Sequence, residues 1–482
     1  MKDIILINGF RTEHPVLPAG IGYVAQAIEN AGFDYDVCDV NIQTHEKIIQ
    51  IVNEMKPKYV GIGTMTYDVE KNYQLLYSIK ESVSNVVIIL GGPHAIAAQK
   101  EIFHECTAVD IVVLGEGEES LVRLLQGIPL PDICGIITRN SIDVASSYEF
   151  LNIENIDFPK YHKFDLVKYG NTMQIASSRG CIYKCSFCGA PKFLGSKWRA
   201  FTVSRMIEEF EYWHSKGYRK FYFSDSLFAL RKKRVIDFCE YIVKYGYTDV
   251  VFTADGVRAD HLTIELLQHM KKANFKSLSV GVESVNDKTL KMFNKGESFS
   301  QIDNAISIAD FLGFAISIYL IIGAPEETYE DAIKSIKYPM KYKNIQRCCI
   351  SRLVPIKGTA YYDYAIEHNL VADVSRNYPE QEVYGYNVKK ETHDANQGFY
   401  DSLLPQMQMI TRFLVMRNKI NKSLIALGIR DISVKSLNML TQISLVPVLE
   451  ILVNASFGLT GRLIRYLQWR RTLQPIPDDR SN

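Results

Sequence analysis

Three cysteines stand within eight residues of this 482-residue chain: Cys181, Cys185 and Cys188, in the stretch "SSRGCIYKCSFCGAP". Thiols at C-x3-C-x2-C spacing share one loop, and such crowding marks a metal or redox site. A structural zinc site takes four protein ligands, often as two short pairs. No second pair stands nearby, and His214, the closest downstream histidine, has no other ligand beside it. A dithiol redox site would use Cys185 and Cys188 and leave Cys181 over. An iron–sulfur cluster with one open iron uses all three thiolates and keeps one coordination position for a substrate or cofactor.

The other six cysteines (Cys38, Cys106, Cys134, Cys239, Cys348, Cys349) are scattered, and the total of nine is odd. A disulfide framework is therefore not expected, and these six read as small buried apolar residues.

The loop must be positioned by a scaffold. Residues 1–126 alternate short apolar strands ("DIILING", "YVGIGT", "NVVIILGG") with helix-like runs, as in a doubly wound parallel sheet covered on both faces. Ligands of such sheets bind beyond the carboxyl ends of the strands. Those ends carry "GTMT" at 63–66, "GGPH" at 91–94 and "GEGE" at 115–118. Residues 127–165, with Pro129, Pro131 and Pro159, read as a connector. From about 172 the alternation resumes through six strand–helix units, predicting a partial β/α barrel over 166–370 with the cysteine loop just after its first strand. Residues 371–482 read as mainly helical and are expected across the barrel mouth.

Charge and hydropathy narrow the function classes. Lys plus Arg (55) nearly balance Asp plus Glu (54), which argues against a nucleic-acid partner. The opening "MKDIILINGF" reads as a first strand rather than a secretory leader, and no stretch has the uninterrupted apolar length of a spanning helix. A cytoplasmic enzyme is expected. The apolar stretch 433–471 ends in Arg462, Arg465, Arg470 and Arg471 and is read as helix packing rather than peripheral membrane contact.

Cys181-x3-Cys185-x2-Cys188, with Phe187 before the last cysteine, resembles the signature of the radical S-adenosylmethionine (SAM) superfamily. The resemblance implies a [4Fe–4S] cluster on the three thiolates, with SAM on the fourth iron. Further stretches follow the family's order. "YFSDS" ends a strand where the family contacts the SAM amino group, with Ser224 and Asp225 in place of the usual Gly-Gly-Glu. Arg258 in "DGVRAD" stands where an arginine meets the SAM carboxylate. Glu283 and Ser284 in "VGVES" resemble the ribose contact, and Gly323 in "LIIGAPEET" the strand lining adenine.

The segment before the barrel resembles the cobalamin-binding subfamily. Its implied cobalamin contacts are Pro18 and Gly20 in "PVLPAGIG", Thr64 and Met65, Gly91, Gly92 and His94, and Gly115, Glu116 and Gly117. The histidine string D-x-H-x2-G that ligates cobalt elsewhere is absent, and His94 reads as a turn residue or backbone-positioned contact rather than a ligand. The resemblance implies a methyltransferase acting on an unactivated carbon or phosphorus of a specialised metabolite or peptide. Cluster-bound SAM would yield a 5′-deoxyadenosyl radical, methylcobalamin would carry the methyl group, and a flavodoxin or ferredoxin would donate the electron. The alternative is a cyclase or mutase of the same architecture. Tyr384, Tyr386 and His393 are the candidate substrate contacts in the C-terminal region.

Overall fold

The computed structural model describes residues 2–426 apart from 84, 141–147, 369 and 371–389, and in addition 433–435 and 437–438. The first of its two six-stranded sheets contains β1 (Ile4–Asn8), β2 (Tyr35–Asp39), β3 (Tyr59–Gly63), β4 (Val87–Gly91), β5 (Ile111–Val113) and β6 (Ile136–Thr138). They lie in the order β2-β1-β3-β4-β5-β6, the first five parallel and β6 antiparallel to β5. Every residue of β1 and β3 is buried. Ile4 and Leu6 enter one core and Ile5 and Ile7 another, so both sheet faces are covered and the strands read as unbroken apolar runs. β6 falls inside the stretch read as a connector: three residues are too few to show a period.

Next come β7 (Thr172–Ile175), the short pair β8 (Ser178–Arg179) and β9 (Arg199–Ala200), then β10 (Lys220–Phe223), β11 (Val251–Val257), β12 (Phe275–Glu283), β13 (Ala315–Ile322) and β14 (Ile345–Arg352). Apart from the β8–β9 pair, these strands form one parallel sheet in chain order. No pairing joins β7 to β14 among the described residues, so the sheet is a partial barrel of six strands.

Its outer wall is aromatic. Phe221, Phe223, Phe252 and Phe275 pack with Phe210 and Phe238, from the helices Val203–Ser215 and Lys232–Lys244, with neighbouring ring centroids 4.9–6.1 Å apart. Such rings bury large areas with few rotatable bonds and hold the strand ends that carry the site.

The helix Lys390–Ala426 is the main described part of the region expected across the mouth, and it lies on the barrel's flank. Its Leu403, Met407, Ile410, Phe413 and Leu414 pack on Ile322, Ala332 and Ile336, with Cys348 and Ile350 alongside, on the outer flank of β13 and β14. Burying that apolar stripe decides its place. Arg417, fully buried there, donates to the carbonyls of Ile345 (2.7 Å) and Pro339 (3.3 Å). Among the described residues no helix is long and apolar enough to cross a membrane.

Candidate active site

Cys181, Cys185 and Cys188 line one cavity of about 380 Å³ at the carboxyl end of the barrel. Backbone contacts fix their loop. The Cys181 amide donates to Gly195 O (2.9 Å), Ser186 to Phe293 O (2.8 Å) and Cys188 to Cys185 O (3.1 Å). Phe187 lies edge-on to Phe293, 5.1 Å between centroids, and also lines the cavity. Gly180 has φ +88°, and a Cβ there would stand 2.2 Å from the Lys197 carbonyl oxygen, so the turn into the loop requires glycine.

Among the described residues no three His, Cys, Asp or Glu side chains are gathered to hold a single metal ion. A cluster asks for another arrangement, with one iron per thiolate. Three thiols spread along one cavity wall fit that demand. Burial raises all three above the usual thiol range, Cys188 to about 11. Lys295 and Arg258 pull Cys181 and Cys185 back toward the thiolate. Iron binding would complete the deprotonation.

Those two cations belong to a buried charge network. Lys295 Nζ lies 3.1 Å from Glu283 Oε1 and 3.6 Å from Glu297 Oε2. Arg258 lies 3.2 Å from Glu297 and 3.1 Å from Asp260, its guanidinium 3.5 Å from the centre of the Tyr183 ring. Glu283 occupies the left-handed region, φ +64°, at a bulge between β12 and β13. There it stands beside Gly281, where a Cβ would fall 2.4 Å from Glu283 Oε1. A strained non-glycine backbone is kept where surrounding structure holds a side chain to a task. Lys295 and Glu297 were missed from sequence; "NKGES" carries no spacing signal, and only the tertiary pairing reveals them.

Of the residues expected to contact SAM, Phe187, Arg258 and Glu283 line the cavity, while Ser224, Asp225, Ser284 and Gly323 do not. Ser224 Oγ accepts from Gln174 Nε2 (2.9 Å). Asp225 accepts from the Ser177 and Ser178 hydroxyls inside the wall, and Ser226 and Leu227 line the cavity instead. Ser284 is fully buried, 3.4 Å from the Ser335 hydroxyl. The Gly323 amide donates to Glu327 (2.7 Å), and Tyr319, Leu320 and Ile321 of the same segment reach the cavity.

In the first sheet, the turns after β3 and β4 are closed by backbone. The Thr64 amide donates to Gly91 O and the His94 amide to Thr64 O, each at 3.1 Å, with half-buried Met65 following. At Gly92, φ +89°, a Cβ would stand 2.9 Å from Thr64 N. Thr64 is fully buried in this junction, and Met65, Gly91 and Gly92 are half-buried at the strand ends. Pro18 precedes the helix Ala19–Asn30, in which the space beside Gly20 is open.

Three of the expected cobalamin contacts have protein partners in this structure. The His94 ring is buried against Tyr73 OH (3.0 Å), Thr66 Oγ1 (3.2 Å) and Glu105 (3.3 Å). The Tyr148 ring fills the space beside Gly115. Glu116 pairs with Arg179 (2.9 Å) and Arg199 (2.7 Å), while Gly117 opens the helix Gly117–Leu125. Glu116 thus ties the end of β5 to the residues just before Cys181. Tyr384 and Tyr386 lie outside the described residues, and His393 is described only as a backbone position in the last helix.

Comparison with known proteins agrees with this layout. Residues 175–338 match the radical SAM superfamily and residues 6–125 the B12 binding domain. An uncharacterized methyltransferase of Pyrococcus horikoshii is 30% identical over 371 residues, covering 73% of this chain and 79% of that one. The chain belongs to the B12-binding radical SAM family. Family membership makes a [4Fe–4S] cluster, SAM and cobalamin its cofactors.

Other members differ in reaction. An anaerobic magnesium-protoporphyrin IX monomethyl ester cyclase of Cereibacter sphaeroides is 26% identical, covering 65% of this chain. This chain spans about half (54%) of that cyclase's length. The fold is also that of the cobalamin-dependent SAM radical enzyme OxsB with aqua-cobalamin and SAM bound, at TM-score 0.69 and 14% identity over 96% of this chain and 81% of that one.

Proposed function

We propose that the chain methylates an unactivated carbon or phosphorus of a small specialised metabolite or a peptide. The observation that carries this reading is the junction of the two sheets. The loop after β5 is clamped through Glu116 to the strand end that leads into the cysteine loop. The helix Pro93–Ala98 after β4 also packs on the helix Ala190–Leu194 after that loop. The B12-binding strand ends and the cavity of the three thiols therefore adjoin.

When bound, the cluster supplies the electron that cleaves SAM, and cobalamin supplies a carrier for the methyl group. The chain's own residues do the remainder. Cys181, Cys185 and Cys188 would hold the cluster. Arg258 and Lys295 supply positive charge where SAM brings a carboxylate, and Glu283 an acceptor for ribose hydroxyls. The turns at Thr64–Met65 and Gly91–Gly92, at the ends of β3 and β4, would bear cobalamin. The apolar walls of Phe187, Val257, Leu353 and Val354 would limit water in the cavity, where it weakens charge stabilisation. The reading calls for a flavodoxin- or ferredoxin-type donor and a reducing cytoplasm.

The test is anaerobic reconstitution with iron, sulfide and hydroxocobalamin, followed by SAM and dithionite. Roughly one cobalamin retained per chain, with S-adenosylhomocysteine formed beside 5′-deoxyadenosine, is expected. A cluster without cobalamin, yielding 5′-deoxyadenosine alone, would replace this reading by the ring-forming chemistry of the cyclase relatives. Replacing the three cysteines together by alanine should abolish SAM cleavage, and cleavage retained in that variant would overturn both.

A further inference from the structure

The barrel interior carries a band of polar side chains. In a closed β/α barrel the inward positions hold layers of bulky branched apolar side chains. Here Phe221, Phe252, Leu278 and Ile318 face out into the core shared with the outer helices, while Val257 and Ile321 reach the cavity near the carboxyl end. Strand alternation turns the other set inward. That set includes Tyr222, Asp255, Ser279, Ser317, Tyr319 and Arg347. Register places Ser279, Ser317 and Arg347 side by side across β12, β13 and β14. The Tyr222 hydroxyl donates to Asp255. Asp255, Ser279 and Tyr319 line the cavity that holds the three thiols, so this polar wall is continuous with it.

Arg347 stands out within the wall. It is exposed, and none of the described carboxylates pairs with it. Register sets it opposite Ser317 and strand alternation turns it to the side of the sheet that Tyr319 and Tyr222 share. An open guanidinium facing a polar interior is matched by a planar or tetrahedral anion, which it binds in bidentate fashion.

We propose that the barrel interior recognises a substrate by an anionic group, carboxylate or phosphonate-like, held by Arg347, with the Tyr222–Asp255 pair and Tyr319 meeting its hydroxyl or amine groups. This rests on the reading that the adjoining cavity is where SAM reacts. Wild-type SAM cleavage with dithionite, measured without the organic anions used below, tests that reading on its own.

The recognition itself is tested by calorimetry on the reconstituted, SAM-loaded enzyme with three probes: 3-phenylpropionate, its neutral amide, and phenylphosphonate. Saturable binding of one anion or both is expected, with the amide at least tenfold weaker, and the better anion identifies the group recognised. In R347Q that preference for charge should vanish, while R347K should keep part of it. Equal binding of the amide, an unchanged preference in R347Q, or no saturable binding of either anion up to about 10 mM would overturn the proposal.

Discussion

Glu327 shows how a single buried group reports on the site's surroundings. Its carboxylate accepts from the amides of Gly323 (2.7 Å) and Ala324 (3.4 Å), closing the turn after β13. Burial outweighs those bonds and raises its pKa to about 7. The unfolded chain releases that proton near pH 4.3. Between these values the folded protein holds a proton that the unfolded one lacks, so this group's contribution falls as pH rises through the window. Glu327→Gln keeps an acceptor and cannot ionise. Its stability, followed by thermal melts, should match wild type near pH 5 and exceed it near pH 8, by on the order of 2 kcal/mol. Equal pH profiles for the two proteins would show that Glu327 is not held protonated.

Strand geometry also explains which site residues could be read from sequence. The cysteine loop was legible because spacing alone identifies it. Glu283 and Ser284 were both named, yet the chain leaves β12 between them, and only Glu283 meets the cavity while Ser284 packs against Ser335. Asp225 likewise turns into the wall while Ser226 faces the cavity. Lys295 and Glu297 were illegible, since their role arises from pairing with Glu283 and Arg258 across the fold.

At the scale of elements, the clamp between the two sheets deserves a test of its own. Glu116, Glu118, Arg179 and Arg199 meet with all four side chains at most 15% exposed. The Arg179 guanidinium lies 4.4 Å from the centre of the Tyr23 ring and that of Arg199 5.1 Å from Phe150, so both cations are sandwiched. Removing one partner of such a group leaves buried charge uncompensated, at about 3–5 kcal/mol. Glu116→Ala should lower stability by about that amount. Faster hydrogen exchange is expected through residues 178–200, with β1 and β3 still protected. Unchanged exchange in that loop would mean that the clamp does not fix the cysteine loop. The major strands were legible as apolar runs, whereas the clamp was not, because "GEGE" reads equally well as a ligand loop. What decides between those roles is the pair of arginines, which lie more than sixty residues away.

At the scale of the whole molecule, the two sheets are not independent domains. One core serves a single face of the first sheet. The other runs from Ile4 and Leu6 through Tyr161, Phe164 and Trp213 into the barrel strands. The segment read as a linker is therefore the joint. Tyr161 is its pivot: its ring lies 5.0 Å from Phe164 and 5.8 Å from Trp213. A Cβ on Gly22, in the helix Ala19–Asn30, would stand 2.4 Å from it. With the core continuous, calorimetry of the wild type should give one cooperative transition. Tyr161→Ala removes the ring where both sheets lean on it, at about 3–5 kcal/mol for a buried aromatic. Because the core of the first sheet's other face is untouched, the variant should melt in two steps, the first sheet and the barrel separating. A single transition shifted downward would mean that the Glu116 clamp alone couples the two sheets. Two transitions in the wild type would mean that the shared core carries too little of the coupling, and that bound cofactors must supply the rest.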